Sequence, residues 1–355
     1  MALLDGITIV DFTRYFPGPY ATLRLADWGA KVIKVEAHEG EPGRFINEYQ
    51  GVEGSVFRSV NRGKQGLFAN LKDAAERERV EKIIKGADAV IEGFRPGVMK
   101  RLGLDYERVS QLKPDIVYCS LTGYGQTGSY ESLSGHDLNY MALSGVLDQL
   151  KDTQGVPVKP MIALADLIGG IAASEAILAG LVHRSVTGEG AYCDVSLAES
   201  AFCLMGLHAT TASLGGGLYG AMDPSIAYAI YETRDGRYVT IAAMEDKFWR
   251  NFCDKVGRPE LYEGKNTLPG DDNPYYVALK ELFASRDFAY WKEFAKTADC
   301  CFAPVLTIEE AMEETSFAER GLVERRWDAA YVATHYLDGA PFLEGDEPYP
   351  ALDRE

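Results

Sequence analysis

Four short β-branched and apolar runs, separated by stretches of helical character, dominate the first 121 residues and restrict the fold more than any other feature. They are ITIVDF (7–12), KVIKVE (31–36), DAVIEGF (88–94) and DIVYCSL (115–121). Between the first two, PGPYATLRLADWG opens with prolines suited to a first helical turn, repeats Leu23, Leu25 and Trp28 at near-helical spacing, and stops at glycine. Ahead of the third, DAAERERVEKIIKGA carries Val80, Ile83 and Ile84 as an apolar stripe on a charged helix. Strands alternating with helices at this interval pair in parallel through right-handed crossovers. The expected class is therefore α/β, a Rossmann-like parallel sheet with its ligand beyond the carboxyl ends of the strands.

The turn after the first strand reads TRYFPGPY, without the GxGxxG spacing of a dinucleotide site. Glu36 ends the second strand where a ribose-binding acid would stand, but without the glycines a nicotinamide cofactor is not expected. From 163 to 184, ALADLIGGIAASEAILAGLVHR is a long apolar helix whose Ala and Gly content permits close packing against another helix or chain. Asp166 and Glu175 interrupt it, so burial is expected and not a membrane span. CDVSLAE then reads as a strand leading into a helix, ESAFCLMGLHATTA. The expected organisation is a large Rossmann-like domain over 1–212, completed by 320–355, a Gly-rich linker at 213–225, and a smaller α+β domain over 226–315. In the smaller domain YAIYETRDGRYVTIAAM is a hairpin around Asp-Gly, followed by the amphipathic EDKFWRNFCDKVG. The tail beyond 325 is Pro- and acid-rich with no clear element.

Charge narrows the partners. With 36 Lys and Arg against 53 Asp and Glu, the net charge of −17 repels phosphate backbones, so no nucleic-acid partner is expected. The amino terminus has no cationic flank before an apolar core, and no segment approaches a membrane-spanning run of uninterrupted apolar residues. A soluble cytoplasmic protein without membrane contact is the expectation. The six cysteines form no CxxC pair and lie near no zinc-type histidines, which reads as reduced core thiols with no metal site.

Three ionisable residues stand where such groups are costly unless used: His136 in GHDLNY, Asp166 in IALADLIGG, and Glu245 in TIAAMEDKFW. Each has an ordinary explanation. His136 caps or packs a helix; Asp166 is an N-cap; Glu245 is an N-cap or a first-turn acid favoured by the helix dipole. Their coincidence in one chain asks for a shared one.

VDFTRYFPGPYATLRLADWGAKVIKVE, IEGFRPGVMKRLGLDYE, LTGYGQTGSY, GHDLNYMALSG and ALADLIGG run in the order and spacing of the type III CoA-transferase superfamily. Within it the chain most resembles the α-methylacyl-CoA racemase branch, over nearly its whole length up to about residue 320. The resemblance implies catalysis by His136, supported by Glu245, on one face of the substrate carbon and by Asp166 on the other. It also implies CoA contacts at Phe94 and Arg95, and at Arg101 on the following helix, with CoA part of the substrate and no separate cofactor or metal. It implies an interlocked homodimer whose active sites are built from both chains. Where family members carry Arg or Pro after the second strand, this chain has Ala37 and His38, which leaves the adenosine and 3′-phosphate contacts open.

Inverting the carbon beside a thioester needs an acid and a base on opposite faces. The backbone N–H groups at the start of the Asp166 helix are expected to stabilise the enolate oxygen. The expected activity is an acyl-CoA racemase or epimerase acting at C2 of a 2-methyl-branched acyl group. Three alternatives stand beside it: a CoA-transferase with Asp166 as nucleophile and the Gly215–Gly217 loop as cover, a metal phosphohydrolase using His136-Asp137, and a CoA-binding module without catalysis.

Overall fold

The computed structural model describes residues 2–48, 53–152, 154–215, 224–326 and 329–335. The chain divides into two compact units, Met1–Gly206 with Ser316–Glu355, and Leu207–Thr315. Most of the Gly-rich stretch, including Gly216 and Gly217, and the tail from 336 onward lie outside the described residues.

In the larger unit β1 (Thr8–Asp11), β2 (Lys31–Glu36), β3 (Gln65–Phe68), β4 (Ala89–Glu92), β5 (Val117–Thr122) and β6 (Ala191–Ser196) form one sheet in the order β3-β2-β1-β4-β5-β6. All adjacent pairs are parallel. The order reverses between β1 and β4, where a doubly wound sheet opens its ligand crevice. The unit's helices are α1 (Pro17–Asp27), α2 (Ser55–Asn61), α3 (Ala74–Lys85), α4 (Val98–Leu102), α5 (Tyr106–Leu112), α6 (Asp137–Leu143), α7 (Val146–Gln149), α8 (Leu164–Thr187) and α9 (Leu197–Cys203). Alternation along the strands feeds two cores. Ile9, Ile91, Val117 and Cys119 pack toward Leu25, Ala173 and Ile177 on the side of α1 and α8. Val10, Val90 and Tyr118 pack toward Val80, Ile84 and Val109 on the side of α3 and α5. Each fully buried aliphatic side chain contributes roughly 1.5–3 kcal/mol.

Among the described residues α8 is the one helix long and apolar enough to cross a membrane. One face of it, with Ala165, Ala173, Ile177 and Leu181, is buried, while Val182 and Val186 are exposed, and its small residues explain how the buried face packs. A Cβ at Gly169 would collide with Leu197, one at Gly170 would lie 2.6 Å from the Pro17 carbonyl oxygen, and one at Gly180 would lie 2.6 Å from Val117. Glycine thus brings α8 against α9, α1 and the sheet.

Several details depart from the sequence reading. The strand β3 was not anticipated. The helix expected after β6 is broken: Leu204 and Met205 N–H groups turn back to the Ala201 and Phe202 carbonyls, ending α9 before α10 (Gly206–Ser213) begins. The tail is not without elements, because β10 (Val323–Arg326) and β11 (Ala329–Val332) pair as an antiparallel hairpin. Beyond it Thr334 donates to Asp27 at 3.0 Å from its N–H and 2.8 Å from its hydroxyl, and the His335 ring packs on Trp28. The cysteines are all free, with Cys119, Cys253 and Cys300 buried and Cys193 partly so; Cys203 and Cys301 are exposed and are not core thiols.

In the smaller unit β7 (Tyr228–Glu232) and β8 (Tyr238–Ala242) form the Asp235-Gly236 hairpin, Gly236 supplying the left-handed turn residue at φ 73°. An unanticipated β9 (Phe302–Pro304) pairs with β8. The helices α11 (Asp246–Lys255), α12 (Pro274–Ala284) and α13 (Phe288–Ala295) bring Trp249, Phe252, Phe283 and Trp291 into one aromatic core.

Candidate active site

A cavity of about 370 Å³ lies at the reversal point of the six-stranded sheet. Its walls are the turns that follow β1 (Thr13–Tyr15), β4 (Gly93–Arg95) and β5 (Thr122–Tyr124), together with His136, Tyr140 and Asp166. The structure therefore brings His136, Asp166, Phe94 and Arg95 to one site, although Asp166 follows His136 by thirty positions.

His136 occupies the N-cap position of α6 in extended backbone, and its N–H donates to the Asn139 side chain at 3.0 Å. It is exposed to the cavity and not packed into the core. The glycine before it is required by two tyrosines: a Cβ at Gly135 would lie 2.7 Å from both the Tyr124 hydroxyl and the Tyr140 ring. Tyr140 in turn donates its hydroxyl to the Gly135 carbonyl at 2.6 Å. The hexapeptide GHDLNY is thus a local unit in which Gly, Asn and Tyr fix the backbone that presents the imidazole.

Asp137 has a separate task. Its Oδ1 accepts the N–H groups of Ala165 at 2.7 Å and Asp166 at 3.2 Å, so it caps α8 from a distant part of the chain. Asp166 is accordingly not the N-cap of its helix but sits in the first turn, after Ala163 in the cap position. Burial pushes the Asp166 carboxyl up to about 7, and the negative charge of Asp137 adds to the effect. The neighbouring N–H groups of Leu164 and Leu167 go to the Ile162 and Ala163 carbonyls. The first-turn donors Leu164, Ala165 and Asp166 thus all have partners within the chain, at Ile162 and Asp137.

Beyond β4, the Phe94 N–H donates to Glu92 at 2.8 Å, and Arg95 donates to the Ser134 hydroxyl at 2.5 Å. Glu92 is buried, and burial raises its carboxyl to about 7 against the opposing hydrogen bonds from Ser120 and Phe94. The Arg14 guanidinium lies 4.6 Å over the Phe94 ring. Two guanidiniums in the cavity of an acidic protein suit an anionic ligand, since planar donors match phosphate and carboxylate groups. Arg101 is exposed on α4, outside the cavity lining. Glu245 belongs to the smaller unit, where it is exposed in the N-cap position of α11 without a side-chain capping bond. Glu36 is not available to a ribose: its carboxylate holds Arg44 through two bonds of 2.7 and 2.6 Å. His38 pairs with Glu76 at 2.8 Å.

Sequence reasoning did not single out Arg14, Tyr15, Glu92 or the capping role of Asp137. The available signal for the first two was their place directly after a parallel strand. Asp137 also departs from a metal-binding His-Asp pair, being directed to the α8 amides. Among the described residues no group of three His, Cys, Asp or Glu side chains is arranged to hold a metal.

The family model described as CoA-transferase family III matches residues 4–351. The chain belongs to that family. An acyl-CoA transferase of Fusarium pseudograminearum is 34% identical over 97% of this chain and 79% of its own length. The alpha-methylacyl-CoA racemase of Homo sapiens is 32% identical over 90% of this chain and 81% of its own. A CAIB/BAIF family protein from Brucella suis has a solved structure that matches with a TM-score of 0.86 at 28% identity, covering 99% of this chain and 96% of that one. The relatives of this family III chain thus divide between racemases and CoA-transferases.

Proposed function

We propose that this family III enzyme is an acyl-CoA racemase or epimerase, inverting C2 of a 2-methyl-branched acyl-CoA by proton transfer through an enolate. The observation that carries the reading is the presence of His136 and Asp166 in one cavity, with the Asp166 carboxyl raised to about 7. A group poised near neutrality serves as proton donor in one direction and acceptor in the other. One residue removes the C2 proton from its face while the other returns a proton to the opposite face. Glu245 supports the imidazole in this reading, fixing its tautomer and stabilising its cation, within the homodimer that the family resemblance implies. Phe94, Arg95 and Arg101 hold the CoA portion of the substrate, and the reaction uses no further cofactor or metal.

The second reading is CoA transfer between carboxylic acids, with Asp166 forming an acyl anhydride and then a CoA thioester; the transferase relatives favour it. A carboxyl near 7 is partly ionised at neutral pH and serves either as proton carrier or as nucleophile, so the choice between the two readings rests on His136 beside it in the cavity. Incubation of one epimer of an acyl-CoA labelled in its CoA portion, in deuterium oxide, separates the two. Deuterium at C2 without an acceptor acid supports racemisation. Label passing into the thioester of an added acid, with C2 unexchanged, refutes it.

A further inference from the structure

Beneath the turn that lines the cavity after β1, the fold keeps an unusual set of charges out of water. Asp11, Lys34, Glu41 and Lys64 are each at most 2% exposed. Buried ion pairs add little stability over apolar side chains of equal volume, so their presence asks what else they fix. Here their hydrogen bonds end on one short piece of backbone. Asp11 accepts the N–H of Thr13 at 2.8 Å and its hydroxyl at 2.5 Å, while Lys34 donates to the Thr13 carbonyl at 2.9 Å. Lys64 closes the set from below, donating to Asp11 at 3.2 Å and to the Pro19 carbonyl at 2.9 Å.

Glu41 holds the next link. Its Oε2 accepts the Tyr15 N–H at 2.9 Å and the Gly43 N–H at 2.8 Å, and its Oε1 lies 3.9 Å from Lys34 Nζ. Gly43 is needed there, because a Cβ would lie 2.9 Å from both carboxylate oxygens. Tyr15 has φ 65°, the left-handed region that a tyrosine enters only when its surroundings impose it. Its side chain is half-exposed and belongs to the wall of the cavity that holds His136 and Asp166. Such strain concentrates where a binding surface must be held in a fixed shape.

We propose that Glu41 is a positioning residue for the substrate site: fixed by the Gly43 N–H and by its own N–H to Glu36, and facing Lys34, it holds Tyr15 in its left-handed conformation so that the tyrosine forms a fixed wall against the bound acyl-CoA. This deepens the reading that the cavity is the acyl-CoA site and rests on it. Glu41 touches no substrate; it acts through the Tyr15 backbone.

The test uses the full chain and two independent readouts. In Glu41→Ala the Tyr15 amide should exchange its hydrogen at least about tenfold faster, with the β1 amides of Ile9 and Val10 unchanged, while Glu41→Gln, which keeps an acceptor, should retain most of the protection. KM for the acyl-CoA should rise at least about fivefold in Glu41→Ala with a smaller change in kcat, as expected of lost substrate positioning. Glycine adopts φ 65° without strain, so in a Tyr15→Gly background the same Glu41→Ala change should cost less than about twofold. Unaltered Tyr15 exchange in Glu41→Ala, or an equal KM increase in both backgrounds, would overturn the proposal. If Glu41→Ala does not fold, Glu41→Asp, whose carboxylate is one methylene short of the Tyr15 amide, takes its place with the same two readouts: faster Tyr15 exchange with a raised KM supports the proposal, and wild-type exchange and kinetics refute it. Failure of the acyl-CoA reading would show differently, as a wild-type protein that neither binds nor turns over any acyl-CoA while its Tyr15 amide still depends on Glu41.

Discussion

Asp166→Asn is expected to stabilise the protein by an amount that grows with pH. In the folded chain burial, reinforced by Asp137, raises the Asp166 carboxyl from 3.8 to about 7. Between those two values the folded state holds a proton that the unfolded state has released, so stability declines as pH rises. The sign is fixed: the contribution is fully present below the unfolded value of 3.8 and is lost as pH passes through about 7. Roughly three pH units at ~1.36 kcal/mol each set an upper limit of roughly 4 kcal/mol, reduced by whatever water reaches the cavity. Asparagine has no proton to lose. Urea denaturation of both proteins, from about pH 4 to about pH 8, should therefore show the variant gaining on the wild type by up to that amount. Other groups that titrate in this range, Glu92 and Lys64 among them, are common to both chains and cancel in the difference. A difference that stays flat across pH would refute the reasoning, since it would mean an ordinary carboxyl at Asp166 and no proton to give at neutral pH.

Asp137→Ala should cost about 1–2 kcal/mol in thermal or urea unfolding by removing the shared acceptor of two α8 amides; it should also lower the Asp166 carboxyl, moving the corresponding limb of the kcat/KM pH profile to lower pH. Arg95→Ala should raise KM for CoA thioesters by about tenfold with less effect on kcat, and Arg95→Lys should restore only part of the loss, because an ammonium lacks the planar fork. Gly135→Ala places a methyl against Tyr124 and Tyr140 and should destabilise by about 1–3 kcal/mol, with a change in the near-ultraviolet tyrosine signal; wild-type stability would show that the two rings yield easily.

The large sheet was legible because β1, β2, β4 and β5 are β-branched runs flanked by helical stripes, and period is a local property of sequence. Residues whose partners are distant were not. Lys34 lies inside KVIKVE as any polar strand residue would, and only the packed fold shows it fully buried beneath Thr13. Asp137 looked like the companion of His136, yet its bonds reach 28 and 29 residues ahead to α8. The hairpin at 323–332 escaped notice because VERR and AAYV carry no apolar alternation, and β3 because Gln65 and Gly66 give half its length no strand signature. For the site, the sequence supplied His136, Asp166, Phe94 and Arg95. What shapes the cavity around them comes from turns at strand ends, where tertiary contacts and not propensity set the backbone.

Two-sided proton transfer is tested most directly with His136→Asn in deuterium oxide, given each C2 epimer of one methyl-branched acyl-CoA in separate reactions. With Asp166 intact on one face, the variant should take up deuterium at C2 from one epimer only and should not invert either. Deuterium uptake from both epimers, or inversion at the wild-type rate, would contradict it.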